Sequence, residues 1–159
     1  MTKIFFILTL SFAGLFTFGH TTHSDNKIME SRLFLYNFVN AINEHDVDKI
    51  YSFMTDDHKF VDAHGNEVIG KDKMKAGWTG YFQLFPDYKI EITDIFAKND
   101  TLAAFGFASG TFKNKKTDNN ENYWRLPASW KAVISDNKIK LWQVYADTKI
   151  PFDIIDKNK

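Results

Sequence analysis

The spacing of apolar residues changes near Pro86, and this change restricts the folds open to the chain. Before Pro86, apolar residues recur at the three- and four-residue spacing of amphipathic helices. After it, apolar and polar residues alternate, as in the stretch from Tyr88 to Thr93, which is typical of strands with one buried face. Helices followed by a meander of long antiparallel strands predict an α+β domain with helices on one face of a curved sheet.

Two short strands are also expected in the first half of the chain. The predicted elements there are helices over 28–43, 47–54 and 71–84 and strands over 59–63 and 67–69. Asp46 suits the N-cap of the second helix, because its carboxylate can accept hydrogen bonds from the free amides of the first turn. Residues 56–58 indicate a helix end. We expect one domain over 28–150 and a C-terminal tail over 151–159.

The N-terminus has the layout of a secretory signal. Lys3 precedes an uncharged apolar run over 4–18, and Thr17 and Gly19 are small enough for a cleavage site after Gly19. The sequence therefore predicts a signal peptide over 1–19, a polar leader over 20–27 and an exported protein, either periplasmic or secreted. The run is shorter than the roughly 20 residues of a spanning helix, so no stable membrane span is expected after cleavage. A buried helix or an uncleaved anchor is the alternative.

Composition argues against nucleic acid as a partner and against cysteine chemistry, and it draws attention to the aromatic residues. The chain contains 20 basic and 20 acidic residues, so there is no bulk electrostatic argument for nucleic acid. It contains no cysteine, so neither a lipid-modified cysteine nor a disulfide is expected. Aromatic residues make up 16% of the chain. Such a domain has either a bulky core or an apolar cavity.

The stretch "FVDAHGNEVIG" carries the candidate chemistry. Phe60, Asp62 and His64 share one face if this segment is a strand, because side chains alternate along it. Asp62 and His64 either line a functional pocket or shape the turn at Gly65. A metal site using both with His58 is also conceivable, but the spacing supplies at most two ligands, and we expect no metal.

Longer stretches resemble a known family. "FVNAINEHDVDKIYSFMTDDHKFVDAHGNEVIGKDKM", "LFPDYKIEITDIFAKNDTLAAFGFASGTF" and "SDNKIKLWQVYAD" are similar in order and spacing to SnoaL-like proteins of the nuclear-transport-factor-2-like superfamily. The resemblance implies a cystatin-like cone, in which three N-terminal helices pack in a strongly curved, mainly antiparallel sheet around a central pocket. It also implies homodimers through the outer face of the sheet.

The resemblance further implies a site. Asp62 matches the strand acid that ketosteroid-isomerase-like members use as a base, and His64 would assist it. An aromatic cavity would raise the pKa of such a carboxyl towards neutrality. The implied activity is a cofactor-free isomerisation, cyclisation or hydration of a small apolar or aromatic molecule. The alternative is a non-catalytic ligand-binding or dimeric association module.

Several aromatic side chains are candidates for the walls of the pocket, although each could equally belong to a plain core. They are Phe38, Phe60, Trp78, Tyr81, Phe82, Trp124, Trp130, Trp142 and Tyr145. Tyr145 could donate to an oxyanion, or it could lie on a dimer face.

The chain also departs from two activities of the superfamily. Phe38 stands close to the position of the isomerase oxyanion tyrosine, and Trp130 or Lys131 stands near that of its protonated acid. Arg125 has no evident acid partner of the kind that epoxide hydrolases use. The sequence therefore predicts neither of these two activities.

Overall fold

The computed structural model of the protein describes residues 23–113 and 120–158. The elements are α1 (His23–Asn43), α2 (Val47–Phe53), β1 (Met54–Val61), β2 (Glu67–Ile69), α3 (Lys71–Leu84), β3 (Lys89–Lys98), β4 (Thr101–Thr111), β5 (Tyr123–Ser135), β6 (Lys138–Ala146) and α4 (Lys149–Lys157). A short 3₁₀ turn (Asn120–Asn122) precedes β5. The predicted signal peptide lies outside the described residues. No helix within the described ranges is long and apolar enough to cross a membrane.

One six-stranded sheet forms the body of the fold. Its strand order is β2-β1-β6-β5-β4-β3, and only the β1–β6 pairing among these neighbours is parallel. The register shifts in β1, in β3 and between β5 and β6, and such irregularities bend a sheet and increase its twist. At the β3 bulge, a Cβ on Gly106 would lie 1.8 Å from the carbonyl oxygen of Glu91, so this contact requires glycine. The predicted α+β class and the mainly antiparallel sheet are confirmed.

The first two helices meet at a tight corner that the sequence "NEHD" forms. The amide of Asp46 donates to the carbonyl of Ala41 at 3.1 Å, and the amide of His45 donates to that of Ile42 at 3.0 Å. This is the Schellman arrangement, with His45 in the left-handed region at φ 55° where glycine is more usual. The carboxylate of Asp46 then accepts the amide of Lys49 at 2.9 Å and caps α2, as predicted.

The core lies between the helices and the inner face of the sheet. Trp130 on β5 and Trp142 on β6 stack at 6.1 Å between ring centroids, and Phe38 of α1 meets the second indole edge-on at 5.3 Å. All three side chains are buried. These rings fill the inner part of the cone, so the pocket is displaced towards one side of it.

The predicted bounds of the first strand are wrong at both ends. The first strand begins at Met54, directly after α2, so residues 56–58 belong to β1. The bulge in β1 interrupts its alternation, and the two exposed acids there pair with lysines, at 2.5 Å from Asp56 to Lys71 and at 3.4 Å from Asp57 to Lys140. Adjacent exposed acids without regular alternation are also typical of a helix end, which explains the wrong prediction for residues 56–58. The strand also stops at Val61 rather than reaching residue 63.

The folded part of the chain extends beyond both predicted ends of the domain. Helix α1 starts at His23, inside the predicted polar leader. The predicted tail is mostly helical, because α4 begins at Lys149 and continues to Lys157. The predicted boundary at residue 150 therefore falls within a helix that packs against the body through Pro151, which is buried.

Candidate functional site

A cavity of ≈ 360 Å³ lies between α3, the end of β1 and α4. Buried residues such as Trp78 and Trp142 form its floor, and exposed ones such as His64, Gly77 and Phe152 mark its mouth. Its size is at the lower end of the range of about 300–1,000 Å³ for small-molecule sites. The lining consists of Phe60, Asp62, Ala63, His64, Val68, Met74, Gly77, Trp78, Tyr81, Phe85, Tyr88, Trp142, Val144, Thr148, Pro151, Phe152 and Ile155.

One wall of the cavity is a continuous aromatic surface. Trp78 and Tyr81 lie three residues apart on α3, and Phe85 follows four residues later, so all three share one face of the helix. The ring of Tyr81 lies 6.1 Å from that of Trp78 and 5.0 Å from that of Phe85. Tyr88 adds a fourth ring, perpendicular to Tyr81 at 4.9 Å. This wall favours flat apolar ligands.

The backbone of Tyr88 is anchored by the corner at the end of α1. His45 Nε2 donates to the carbonyl of Tyr88 at 2.8 Å. The side chain of Asn43 both donates to and accepts from the backbone of Ile90, at 2.9 Å and 2.8 Å. The amide of Tyr88 donates to the carbonyl of Phe85 at 3.1 Å across the turn that contains Pro86. The "NEHD" sequence therefore fixes a residue of the cavity wall.

The two tyrosines of the wall hold their protons firmly. Burial raises the pKa of Tyr88 well above its usual value. Burial also raises the pKa of Tyr81, and the nearby Tyr88 adds to that shift. Both hydroxyls are therefore neutral donors at any physiological pH.

Asp62 lines the mouth of the cavity, and its carboxylate is held by the turn after β1. Oδ1 accepts the amides of His64 and Asn66, each at 2.8 Å, and Oδ2 accepts the Asn66 side-chain amide at 2.8 Å. Gly65 adopts φ 85° within this turn. Partial burial alone would raise the pKa of Asp62, but the hydrogen bonds from Asn66 and His64 outweigh it and lower that pKa. The carboxylate is ionised and engaged.

His64 connects the turn to the C-terminal helix. Its Nε2 lies 3.3 Å from Thr148 Oγ1, and its ring meets that of Phe152 edge-on at 5.2 Å. Asn158 donates to Asn122 Oδ1 at 3.1 Å at the other end of α4. Helix α4 therefore covers the cavity through side-chain contacts, with Pro151 and Ile155 in its lining.

The structure brings six of the predicted site residues to this cavity. They are Phe60, Asp62, His64, Trp78, Tyr81 and Trp142. The other five predicted pocket residues, Phe38, Phe82, Trp124, Trp130 and Tyr145, lie outside its lining.

The five residues outside the lining lie in the core, behind Trp78 or on the surface. Phe38, Trp124 and Trp130 are sealed in the core beneath the cavity. The ring of Phe82 lies on the far side of Trp78, where it stacks on His45 at 4.3 Å between centroids. Tyr145 is exposed. The last case follows from strand alternation, because Trp142 and Val144 of β6 face the cavity and Tyr145 faces outwards.

Sequence reasoning also missed part of the lining. Phe85 and Tyr88 belong to the "FPDY" turn, whose tight geometry carries the aromatic face of α3 into the next segment. The lining residues of α4 were missed because a nine-residue helix was assigned as a tail. The apolar residues Ile150, Pro151, Ile154 and Ile155 recur at helical spacing and could have revealed it.

His58 is separate from this site. It is 1% exposed within β1, and its Nδ1 donates to the carbonyl of Ile139 at 2.8 Å. It therefore does not join Asp62 and His64 in a ligand set. Across residues 23–113 and 120–158, no three histidine, aspartate or glutamate side chains come together as a metal site would require.

The model of the SnoaL-like domain family matches residues 35–142, which is more than half of the chain. The protein is thus a member of the SnoaL-like domain family, and the resemblance to that family drawn from its motifs is confirmed. No match was found among curated proteins.

Solved structures share the cone at low sequence identity. An LEH-like epoxide hydrolase of Mycobacterium tuberculosis is 15% identical with a TM-score of 0.67, covering 82% of this chain and 92% of that one. A cystatin-fold protein of Novosphingobium aromaticivorans is 20% identical with a TM-score of 0.63, covering 72% and 96%. A ketosteroid-isomerase-like protein of Catenulispora acidiphila, in complex with trimethylamine, is 15% identical with a TM-score of 0.62, covering 70% and 83%. These likenesses show the fold alone.

Proposed function

We propose that this protein binds a small, largely apolar molecule in the cavity beneath α4. The observation that carries the proposal is the shape of the lining, where an aromatic wall built on Trp78 and Tyr81 faces a few polar groups near the mouth. Most small-molecule sites combine a concave apolar surface with a few placed polar groups in this way. The ketosteroid-isomerase-like relative in complex with trimethylamine supports a small-molecule role for this fold.

Binding has more support than catalysis by Asp62. A general base at neutral pH works best with a pKa near 7 and with a free lone pair on the substrate side. The carboxylate of Asp62 instead accepts three hydrogen bonds, and they lower its pKa. A cofactor-free isomerisation, cyclisation or hydration with Asp62 as base and His64 as helper is the second candidate. It is favoured by one observation, that both residues line the same cavity.

A filled-cavity variant provides the direct test. Gly77 lines the mouth of the cavity, and a Cβ there would meet nothing closer than Met74 at 3.9 Å. We expect Gly77→Trp to lower the affinity for 2-acetylnaphthalene, measured by calorimetric titration, by at least about ten-fold, because the indole would occupy the cavity.

Gly80→Trp is the matched control. Gly80 lies one turn further along α3, does not line the cavity and has nothing within 4 Å of its Cβ position. Both variants replace a helical glycine, so their effects on helix propensity are alike. The proposal is contradicted if the unaltered protein does not bind the probe up to its solubility limit, or if both variants bind it equally well.

We also propose a homodimer through the outer face of the sheet. Phe96 and Phe105 are 63% and 45% exposed there, with their rings 5.9 Å apart. Arg125 lies over Phe107 at 3.6 Å and pairs with Glu91 at 3.1 Å, so the surroundings are balanced in charge and suit a second copy of themselves. Sedimentation equilibrium should show a dimer that Phe105→Glu converts to monomer, and a monomeric unaltered protein would contradict this.

Export remains a proposal that rests on the sequence of residues 1–19. Cell fractionation of the source organism with N-terminal sequencing tests it. The expected result is a chain in the exported fraction that begins near residue 20, and an intact Met1 in the cytoplasm would contradict it.

A further inference from the structure

Two tyrosine hydroxyls of the cavity lining have no hydrogen-bond partner among the described residues. Among residues 23–113 and 120–158, neither the hydroxyl of Tyr81 nor that of Tyr88 makes a hydrogen bond. Neither oxygen belongs to the fully enclosed polar atoms, and both residues line the cavity. Buried polar groups in native proteins are nearly always paired. Because both residues line the cavity, what fills it, whether water or a ligand, is placed to supply that partner.

The two phenols are held in fixed positions before any ligand arrives. Their rings pack perpendicular to each other at 4.9 Å, and the ring of Trp78 lies 6.1 Å from Tyr81 and 6.4 Å from Tyr88. His45 holds the carbonyl of Tyr88 at 2.8 Å. Tyr88 is 7% exposed. Groups that are already ordered lose little conformational entropy on binding, so their hydrogen bonds contribute more to affinity.

The polar side chains at the mouth of the cavity are already engaged. Both carboxylate oxygens of Asp62 accept hydrogen bonds from the turn. His64 Nε2 and Thr148 Oγ1 lie 3.3 Å from each other. The donors left near the aromatic wall are the two tyrosine O–H groups and the indole N–H groups of Trp78 and Trp142, all of which can donate to an acceptor on the ligand.

We propose that Tyr81 and Tyr88 form a paired donor site for an acceptor oxygen, so that the cavity selects apolar molecules that carry a carbonyl or a similar oxygen. This inference rests on the proposed binding function and specifies its ligand class. The apolar body of the ligand lies against the aromatic wall, and its oxygen replaces the water that the hydroxyls otherwise bind. A hydrocarbon of the same shape would leave both donors without a partner, which is costly in a buried site.

Protonation favours the same assignment. Burial raises the pKa of both phenols, so both stay protonated as donors when the pH rises towards 10. Ionisation of these two phenols should therefore not change the affinity for a neutral ketone between about pH 6 and pH 10.

Three probes with one naphthalene body separate the possible ligand classes. 2-Acetylnaphthalene carries the carbonyl oxygen, 2-isopropenylnaphthalene replaces that oxygen with a methylene of similar shape, and N,N,N-trimethyl-2-naphthylammonium carries a cation instead. We expect the unaltered protein to bind the ketone at least about ten-fold more tightly than the alkene, because a good hydrogen bond and an avoided orphan donor are each worth several-fold. Tighter binding of the cation than of the ketone would overturn the proposal in favour of cation–π recognition by the aromatic wall.

Removing one hydroxyl at a time shows whether each tyrosine donates to the oxygen of the ligand. Tyr81→Phe and Tyr88→Phe should each weaken binding of the ketone by about five- to ten-fold and leave binding of the alkene within about two-fold. Tyr145→Phe is the matched control, because Tyr145 is 49% exposed and does not line the cavity, so its removal should change neither affinity. The thermal midpoints of the two cavity variants should stay close to that of the unaltered protein, since neither hydroxyl has a partner to lose.

Infrared spectroscopy gives a readout that does not depend on affinity. The stretch of a ¹³C-labelled carbonyl in bound 2-acetylnaphthalene should shift to lower frequency than in hexane, and each phenylalanine variant should reverse part of that shift. Equal affinity for ketone and alkene, or a carbonyl band that both variants leave unchanged, would overturn the donor pair while the cavity stays a binding site. Failure of all three probes to bind would overturn the proposed function and the donor pair together.

Discussion

The carboxylate of Asp62 has a structural task in the turn that follows β1. It accepts two backbone amides and one side-chain amide from the four residues after it. A side chain that satisfies its own turn in this way stabilises local geometry as well as facing a cavity. Its place at the mouth therefore follows from the turn, whatever further role it has there.

We predict that Asp62→Asn leaves 2-acetylnaphthalene affinity within about two-fold and lowers the free energy of unfolding by about 1 kcal/mol, because an amide replaces one acceptor of a charged hydrogen-bond set. Calorimetric titration and urea denaturation measure the two effects. The control is Asp136→Asn, in the β5–β6 turn away from the cavity, which should leave affinity unchanged. If a turnover assay is found and Asp62→Asn abolishes turnover with stability intact, Asp62 is a base and this account of it is wrong.

His58 gives the fold a defined response to acid. Burial lowers its pKa below the ordinary 6.5, although the hydrogen bond to Ile139 and the charge of Asp57 act in the opposite direction. The unfolded chain therefore takes up this proton first as the pH falls. The contribution of His58 is fully present above about pH 6.5 and is lost as the pH falls through the folded-state pKa.

We predict that the free energy of unfolding falls between about pH 6.5 and pH 5 with a component of up to about 1.4 kcal/mol per pH unit from this histidine. His58→Gln should remove that component, whereas His64→Gln, on an exposed residue, should keep it. Urea titrations at a series of pH values measure the slopes. Equal slopes in all three proteins would show that His58 is protonated in the folded state as readily as in the unfolded state.

Some of the predicted pocket residues could be placed on the cavity lining from the sequence because their environment is local. Trp78 and Tyr81 share a helix face, and helical spacing predicts that face without knowledge of the rest of the fold. Trp130 was not predictable in this way, because alternation places it on the inner face of β5 without telling whether core or cavity lies there, and in the structure no residue of β5 lines the cavity. Tyr88 was missed because its placement depends on His45, which is remote in sequence.

At the scale of elements, α4 determines how closed the cavity is. It contributes Pro151, Phe152 and Ile155 to the lining, and its first turn meets the Asp62 turn through His64. Short helices held by a few side-chain contacts belong to the less stable parts of a fold. Helix α4 is therefore the element whose movement would admit a ligand.

We predict that Ile155→Ala speeds dissociation of 2-acetylnaphthalene by about three- to ten-fold, because apolar contact over the ligand is lost and interface changes act mainly on the off-rate. Stopped-flow fluorescence measures the rate. Ile150→Ala is the matched control on the same helix, since Ile150 is 53% exposed and does not line the cavity. The covering role of α4 would be disproved by equal rates for the two variants.

Element order was predictable and two element boundaries were not. The switch from helical to alternating spacing near Pro86 predicts the two halves of the fold, and the structure confirms both. The start of β1 was missed because a bulge breaks the alternation on which strand assignment depends. Helix α4 was missed because a nine-residue amphipathic segment at a chain end is stable only through its contacts with the cavity.

For the whole molecule, the cone and the cavity have different origins. The cone follows from strand order, bulges and the close approach at Gly106. The cavity follows from how bulky residues are distributed. The stacked Trp130 and Trp142 fill one side, and the space between α3 and α4 stays open. Composition predicted either a bulky core or a cavity, and the molecule has both.

The central claim is that the cavity beneath α4 is a ligand site. The measurement that tests it most directly is a crystal structure of the full chain grown with 2-acetylnaphthalene. This account predicts the naphthalene against Trp78 and Tyr81, with the carbonyl oxygen within hydrogen-bond distance of a tyrosine hydroxyl. A probe bound elsewhere, or side chains collapsed into the cavity, would contradict it.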